Sequence, residues 1–379
     1  MPFVNRDQEL AYLRARAGSN RSELIVLYGR RRVGKTELLR RFCADRPHLF
    51  FVASQTTPER LLQEFSALLA EVPNSPLPAG TVPQDWPSAL RLLGTLAASQ
   101  RFVVVLDEFP YLLQAEPAIA SHLQNVWDAT LRETKLLLVL CGSQISVMES
   151  EVLGQRSPLY GRRTGQWKVT PLGYRDAARF FPGYSREDQV TVYGVLGGIP
   201  AYLEQFDPGR PIAANIVEQI LTRGSMLYEE VHFLLQSELR EVGRYYAALS
   251  ALASGATRHQ ELARAIFGPE GRGSAQPYLN RLESLEIVGR AVPATVRNPL
   301  RSRDAVYRIS DPFIRFWFRF AASNRSALEQ GRGHDVWTQR IRSALPEHMG
   351  MVFEECALTH TWLLAGTGGL PFPPDIAGS

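Results

Sequence analysis

Gly29-Arg-Arg-Arg-Val-Gly-Lys-Thr36 carries residue types at a spacing that can hold a phosphate. In a G-x-x-x-x-G-K-T stretch the glycines let backbone N–H groups turn inward around a phosphate. The lysine then reaches the β- and γ-phosphates, and the threonine hydroxyl meets Mg²⁺. Gly29, Arg30, Arg31, Arg32, Val33 and Gly34 form the loop, Lys35 and Thr36 follow, and Glu37 opens the helical pattern beyond. A second pair of groups closes Arg101-Phe-Val-Val-Val-Leu-Asp-Glu108. In a nucleotide site Asp107 would hold the water shell of Mg²⁺, and Glu108 would orient and deprotonate an attacking water.

The elements that must position these groups can be read around them. Leu24-Ile-Val-Leu-Tyr28 is strand-sized and precedes the loop, and Glu37-Leu-Leu-Arg-Arg-Phe42 reads as helix, so the order is the one a phosphate site requires. The branched apolar run before Asp107 suits a parallel strand buried on both faces. Leu136 to Gly142 is a further buried strand. It ends at Ser143, whose hydroxyl either senses a γ-phosphate or its attacking water, or caps the next helix. Arg162 and Arg163 follow Gly161 one loop later. They are placed to reach a phosphate in cis or across a subunit boundary as an arginine finger, or else to pair with an acidic side chain at the surface. Strands ending at Tyr28, Ala53, Leu106, Cys141 and Val169, with helices between, predict a five-stranded parallel α/β sheet of the P-loop NTPase type. Strand order is not readable from the sequence. A strand between those of Lys35 and Asp107 would mark the branch with an added catalytic glutamate.

From Gly173 to Gln236 the pattern is helical, interrupted by Gly197-Gly-Ile-Pro200, which is either a helix break or a turn lying against an adenine. Residues 242–310 read as three helices followed by two extended pieces, the order of a winged helix-turn-helix. Its third helix would present Gln276, Asn280 and Arg281 to double-stranded DNA, with Arg297, Arg301 and Arg303 of the wing on phosphates. The other reading makes this unit a packing module. Phe313, Phe316, Trp317 and Phe320 recur at i, i+3, i+4, i+7, which predicts a buried helical stripe, with Arg315 and Arg319 on a different face. Helices are expected over 334–345 and 349–363.

A chain of 379 residues implies two or three domains, and 45% hydrophobic with 21% charged residues is globular composition. The longest apolar stretches are strand-sized, so no membrane partner is expected. Cys43, Cys141 and Cys356 are far apart and lack metal-ligand spacing, which argues for reduced thiols in a cytoplasm. The formal charge is +4, and residues 256–310 alone hold nine Arg against five acidic residues, so the excess sits in the winged segment.

Together, Phe3-Val-Asn-Arg-Asp7, the phosphate loop, Val103 to Glu108, Cys141-Gly-Ser143, Ser157 to Arg163, Gly197 to Pro200 and Asp311 to Phe318 resemble the archaeal-type ATPases of the STAND class, relatives of AAA+ proteins. The resemblance implies that Arg6 approaches the nucleotide, that Pro200 packs near the adenine and that Arg162 is the finger. Asn5 stands where that family usually has Gly, and Asp7 where it usually has Glu. Such proteins commonly continue into a restriction-endonuclease-like domain. Met351 to Cys356 looks like its first helix, yet no lysine follows Lys168, so a truncated or degenerate domain without nuclease activity is expected. The expected layout is an ATPase core over 1–172, a helical lid-like subdomain over 173–236, the winged helix with the aromatic helix over 237–320, and a C-terminal region over 321–379. The expected activity is Mg²⁺-dependent ATP hydrolysis coupled to a winged helix on DNA. The alternative is a signalling switch that self-associates on ATP and uses the winged helix for protein contacts. A small-molecule kinase would need an acceptor pocket and lid that nothing in the sequence supplies.

Overall fold

A computed structural model describes residues 3–292 and 305–370. Asn5–Thr170 form one compact unit, and the described residues outside that span form a second. The boundaries expected near 236 and 320 fall within the second.

In the first unit the apolar runs become strands: β1 (Glu23–Tyr28), β2 (His48–Val52), β3 (Phe102–Asp107), β4 (Leu136–Gly142) and β5 (Gly165–Lys168). All pairings are parallel, in the order β2-β3-β4-β1-β5. Every residue of β1, β3 and β4 is buried, as central strands covered by helices on both faces must be, whereas β2 at the edge alternates. Helices α1 (Asp7–Ala17), α2 (Lys35–Cys43), α3 (Pro58–Glu71), α4 (Trp86–Leu96), α5 (Phe109–Ala115) and α6 (Ile119–Ala129) complete the unit. Thr57 and Asp85 cap α3 and α4, each accepting a backbone N–H three residues on, and each helix has a proline in its first turn.

Strand order answers the question the sequence left open: β4 lies between the strand of Lys35 and that of Asp107. The register sets Tyr28 opposite Gly142 and Leu106 opposite Leu140. Gly29, Glu108 and Ser143 therefore leave the C-terminal edge of the sheet at nearly one level, which is where open α/β sheets bind ligands.

The second unit is helical after Gly173. Pro200 heads the one-turn helix Pro200–Leu203, reached through Gly197 at φ 67°. Val242–Ala253, His259–Phe267 and Gln276–Ser284 precede an antiparallel pair, β6 (Val288–Ala291) and β7 (Val306–Ile309), in the order read from the sequence. The aromatic stripe is buried as expected, with Phe313, Phe316, Trp317 and Phe320 only 0%, 0%, 2% and 4% exposed. Its helix is covered on more than that face, because Arg315 is buried too and pairs with Glu355 at 3.1 Å. The last described helix, Leu345–Gly366, spans the segment expected as 349–363. Among the described residues no helix is long and apolar enough to cross a membrane.

Candidate active site

The phosphate loop depends on backbone that only certain residues tolerate. Gly29 stands at φ 154°, where an added Cβ would lie 2.2 Å from the Val169 carbonyl oxygen, so the loop passes the end of β5 too closely for any side chain. Arg32 at φ 65° and Gly34 at φ 95° are left-handed on either side of Val33. Such alternation turns successive N–H groups toward one concave side, an anion cradle. Lys35, only 5% exposed, starts α2 with its ammonium donating to the carbonyls of Gly29 and Arg30, both at 2.9 Å. The charge is thereby held over the loop, beside the first-turn amides of the helix.

Across the strand ends, the Thr36 hydroxyl donates to Asp107 Oδ2 at 2.6 Å, and Asp107 Oδ1 accepts the Glu108 N–H at 2.9 Å. Cys141 lies beside this carboxylate. Burial, and then the Asp107 charge, push its thiol well above the ordinary range, so it stays neutral and takes no nucleophilic part. Glu108 itself is left-handed, φ 51° and ψ 42°, at the N-terminus of α5. A non-glycine residue is strained there by about 1 kcal/mol or more, which marks a carboxylate whose direction matters. Ser143 fixes that direction: its hydroxyl donates to Glu108 Oε2 at 2.8 Å, with its N–H at 3.4 Å. Of the two readings of Ser143, the capping one fails, since Gln144 precedes the next helical turn and no side-chain cap forms. At Gly142 a Cβ would lie 2.5 Å from Met148 Sδ, so β4 must reach Ser143 without a side chain there.

Arg6 is placed at the loop but faces protein groups. Its buried guanidinium donates to Glu9 Oε1, to the Val33 carbonyl and to the Thr170 carbonyl, each at 2.9 Å. At the entry to α1 the Asn5 side chain accepts the Arg6 N–H through Oδ1 at 2.8 Å; Arg6, the residue just before the helix, stands at φ 77° and Asn5 before it at φ 59°. Asparagine is one of the few residues besides glycine that enter the left-handed region readily.

Arg162 sits at the opposite edge of the sheet. It precedes β5, whose Gly165 pairs with Ile25 near the start of β1, and its guanidinium donates to Asp128 at the end of α6, at 2.8 Å. That is roughly 20 Å from the loop at 3.3 Å per strand residue. A contact to a phosphate on its own loop is excluded by that span, and the acidic partner anticipated for it is Asp128. Arg21, Arg132, Arg162 and Arg163, with Trp127 and Tyr160, line a cavity of about 560 Å³ there.

In the second unit Arg281 departs from the expected reading head. It is half-buried and donates to the Glu238 carbonyl at 3.1 Å, because the Gln276–Ser284 helix packs that side against the chain near Glu238. Gln276 and Asn280 are exposed but bond to each other at 2.6 Å. Arg297, Arg301 and Arg303 lie outside the described residues. Two features of the site escaped sequence reading. Glu9 stands three residues after Arg6, a spacing that brings side chains together at the start of a helix and is the signal the sequence offers for this pair. The Val33 carbonyl as an acceptor left no signal at all.

A parallel sheet with a strand inserted between the phosphate-loop strand and the acidic strand, a lysine over the loop, and a Thr–Asp pair beside a left-handed glutamate define a P-loop NTPase. Comparison with known proteins narrows this further. Residues 3–206 match the family described as an ATPase domain predominantly from Archaea, and the chain belongs to it: the protein is an ATP-hydrolysing enzyme. Residues 317–379 match a family described as archaeal and bacterial proteins of unknown function. An uncharacterized protein of Methanocaldococcus jannaschii is 33% identical over 370 residues, covering 98% of this chain and 80% of its own. Among solved structures, a Walker-type ATPase of Pyrococcus abyssi superposes with a TM-score of 0.62 at 20% identity, over 84% of this chain and 96% of that one. The ORC2 protein of Aeropyrum pernix, solved as ADPNP–ADP complexes, gives 0.52 at 14% identity, over 87% and 96%. At these identities the two likenesses show the fold.

Proposed function

We propose that ATP is held at the Gly29–Thr36 loop and hydrolysed there by a water that Glu108 deprotonates. The observation that carries this is the convergence of Lys35, the Thr36–Asp107 pair and the Ser143–Glu108 pair at one edge of one sheet. Loop amides and the Lys35 ammonium take the β- and γ-phosphate charge. Two hard oxygen donors, Thr36 Oγ1 and Asp107 Oδ2, stand 2.6 Å apart. They would hold Mg²⁺, which when bound neutralises phosphate charge. As water attacks the γ-phosphorus, its proton passes to Glu108, the bond from that phosphorus to the bridging oxygen breaks, and ADP leaves with inorganic phosphate. In this reading Ser143 keeps Glu108 at its post, so that proton transfer needs no search for geometry.

The output is proposed to be double-stranded DNA bound by a winged helix made of the three helices from Val242 to Ser284 and the β6–β7 pair. Its support is the placement of charge, nine Arg against five acidic residues over 256–310. The test is DNA affinity against salt concentration. Replacing Arg301 and Arg303 together is expected to weaken binding and lower the salt slope by about 2. Unchanged slope and affinity would remove DNA from the account. A second reading, self-association on ATP, draws on Arg162: a finger roughly 20 Å from its own loop serves only a neighbour's phosphate. Growth in mass on adding ATP, abolished by Arg162→Ala, would favour it.

A further inference from the structure

We infer that Arg6 is a positioning residue for the phosphate loop, acting on the Val33 carbonyl rather than on the nucleotide; this rests on the reading that the loop binds phosphate. Arg6 is only 6% exposed, and its guanidinium is engaged by Glu9, by the Val33 carbonyl and by the Thr170 carbonyl at the end of β5. These acceptors come from three separate places in the chain: the first turn of α1, the middle of the loop and the exit of β5. A planar fork of donors can join them in one fixed geometry, which a flexible ammonium cannot.

The consequence for the loop follows from peptide geometry. A trans peptide places its C=O and the next N–H on opposite sides. With the Val33 carbonyl turned to Arg6, the Gly34 N–H is sent the other way. Among the described residues that N–H donates to no protein acceptor, so it is presented for an anion. Val33 sits between left-handed Arg32 and Gly34, at φ 65° and 95°. A flip of the Val33–Gly34 peptide would withdraw one phosphate donor. Arg6 blocks it. The same demand accounts for left-handed Asn5 and Arg6, at φ 59° and 77°. The backbone accepts that strain to bring the guanidinium under the loop, and burial against Glu9 holds it there.

The test compares Arg6→Ala and Arg6→Lys with the native chain in calorimetric binding of ATP, GTP and inorganic tripolyphosphate, with amide hydrogen exchange followed over 32–36. The expectation is an affinity loss on the order of tenfold, the same for all three ligands, with faster exchange in the loop and unchanged exchange in β1 and β4. A loss for ATP without a loss for tripolyphosphate, or a changed ATP to GTP ratio, would mean that Arg6 reads the nucleoside and would overturn the inference. Unchanged affinity for every ligand would do the same. If Arg6→Ala does not fold, Glu9→Gln supplies the readout, with the same pattern at roughly threefold; base-dependent or absent loss again overturns it. Lys35→Ala is the separate control. Should it bind tripolyphosphate as the native chain does, the phosphate site itself has been misplaced, whatever Arg6 does.

Discussion

Two regions of this molecule bury charged side chains among apolar ones, and they use them differently. At the C-terminal edge of the sheet, Lys35, Asp107 and Arg6 are each almost fully buried, within a few residues of left-handed backbone at Asn5, Arg6, Arg32 and Glu108. Much of the hydrogen bonding there goes to loop carbonyls, which a ligand can rearrange. In the second unit, Arg315 lies under the aromatic stripe and pairs with Glu355, while His348 packs against Phe316 and Phe320 with its Nε2 on the Gly194 carbonyl. The helix carrying Arg315 is capped by Asp311 and widens into a π-helical turn at Trp317–Ala321, and no left-handed residue stands within it. Burial of charge is therefore common to both regions. What separates a site from a strut is strained backbone together with donors turned toward open space.

The comparison can be broken by substitutions that hit one region and spare the other. Lys35→Ala should weaken ATP binding by about 100-fold or more while leaving the melting temperature unchanged, because its partners are loop carbonyls that water can satisfy. A large fall in stability would make Lys35 a strut. Arg315→Ala should do the reverse, costing about 3 kcal/mol of stability in chemical denaturation by leaving Glu355 partly buried and alone, with ATP affinity intact. Equal stability of that variant would show that the pair contributes nothing.

His348 gives an effect of similar size, confined to acid and with a definite sign. Burial between aromatic rings lowers its pKa to about 4, from 6.5. The unfolded chain binds this proton first, so the neutral imidazole's contribution is whole above pH 6.5 and is lost as pH falls from 6.5 toward 4. The loss is on the order of 3 kcal/mol. His348→Leu should flatten that limb of the stability profile in urea titrations at pH 7.5 and 4.5; an unaltered limb would assign the acid sensitivity to other groups. Smallest is Ser143→Ala, expected to lower kcat roughly tenfold with KM for ATP little changed. A change confined to KM would move Ser143 from orienting Glu108 to binding ATP.

The parts of this design that the sequence displays are those with a period or a fixed spacing. Buried strands announce themselves as Leu24 to Tyr28 or Val103 to Leu106, and the loop by its glycines and lysine. Strand order is silent because a strand covered on both faces is apolar throughout and names no neighbour. Ser143 was singled out by its place after β4, but its partner became known only with β4 set beside β3. Arg162 and Asp128 are 34 residues apart, and Arg6 and Val33 are 27 apart. Contacts of that kind follow from the folded path alone and leave no local pattern. Asn5 is the exception that could have been read further, since asparagine just before a helix start is one of the few residues that enter left-handed backbone readily.

Everything proposed for the phosphate loop depends on Glu108 performing hydrolysis at the site that Lys35 builds. Steady-state ATP hydrolysis, measured with Mg²⁺ on the native chain and on Glu108→Gln, together with ATP binding by both, tests this most directly. The prediction is that Glu108→Gln binds ATP as tightly as the native chain and turns it over at least about 100-fold more slowly, since the amide keeps the bond to Ser143 but cannot take the proton. Turnover at the native rate in Glu108→Gln would contradict the assignment and place the base elsewhere.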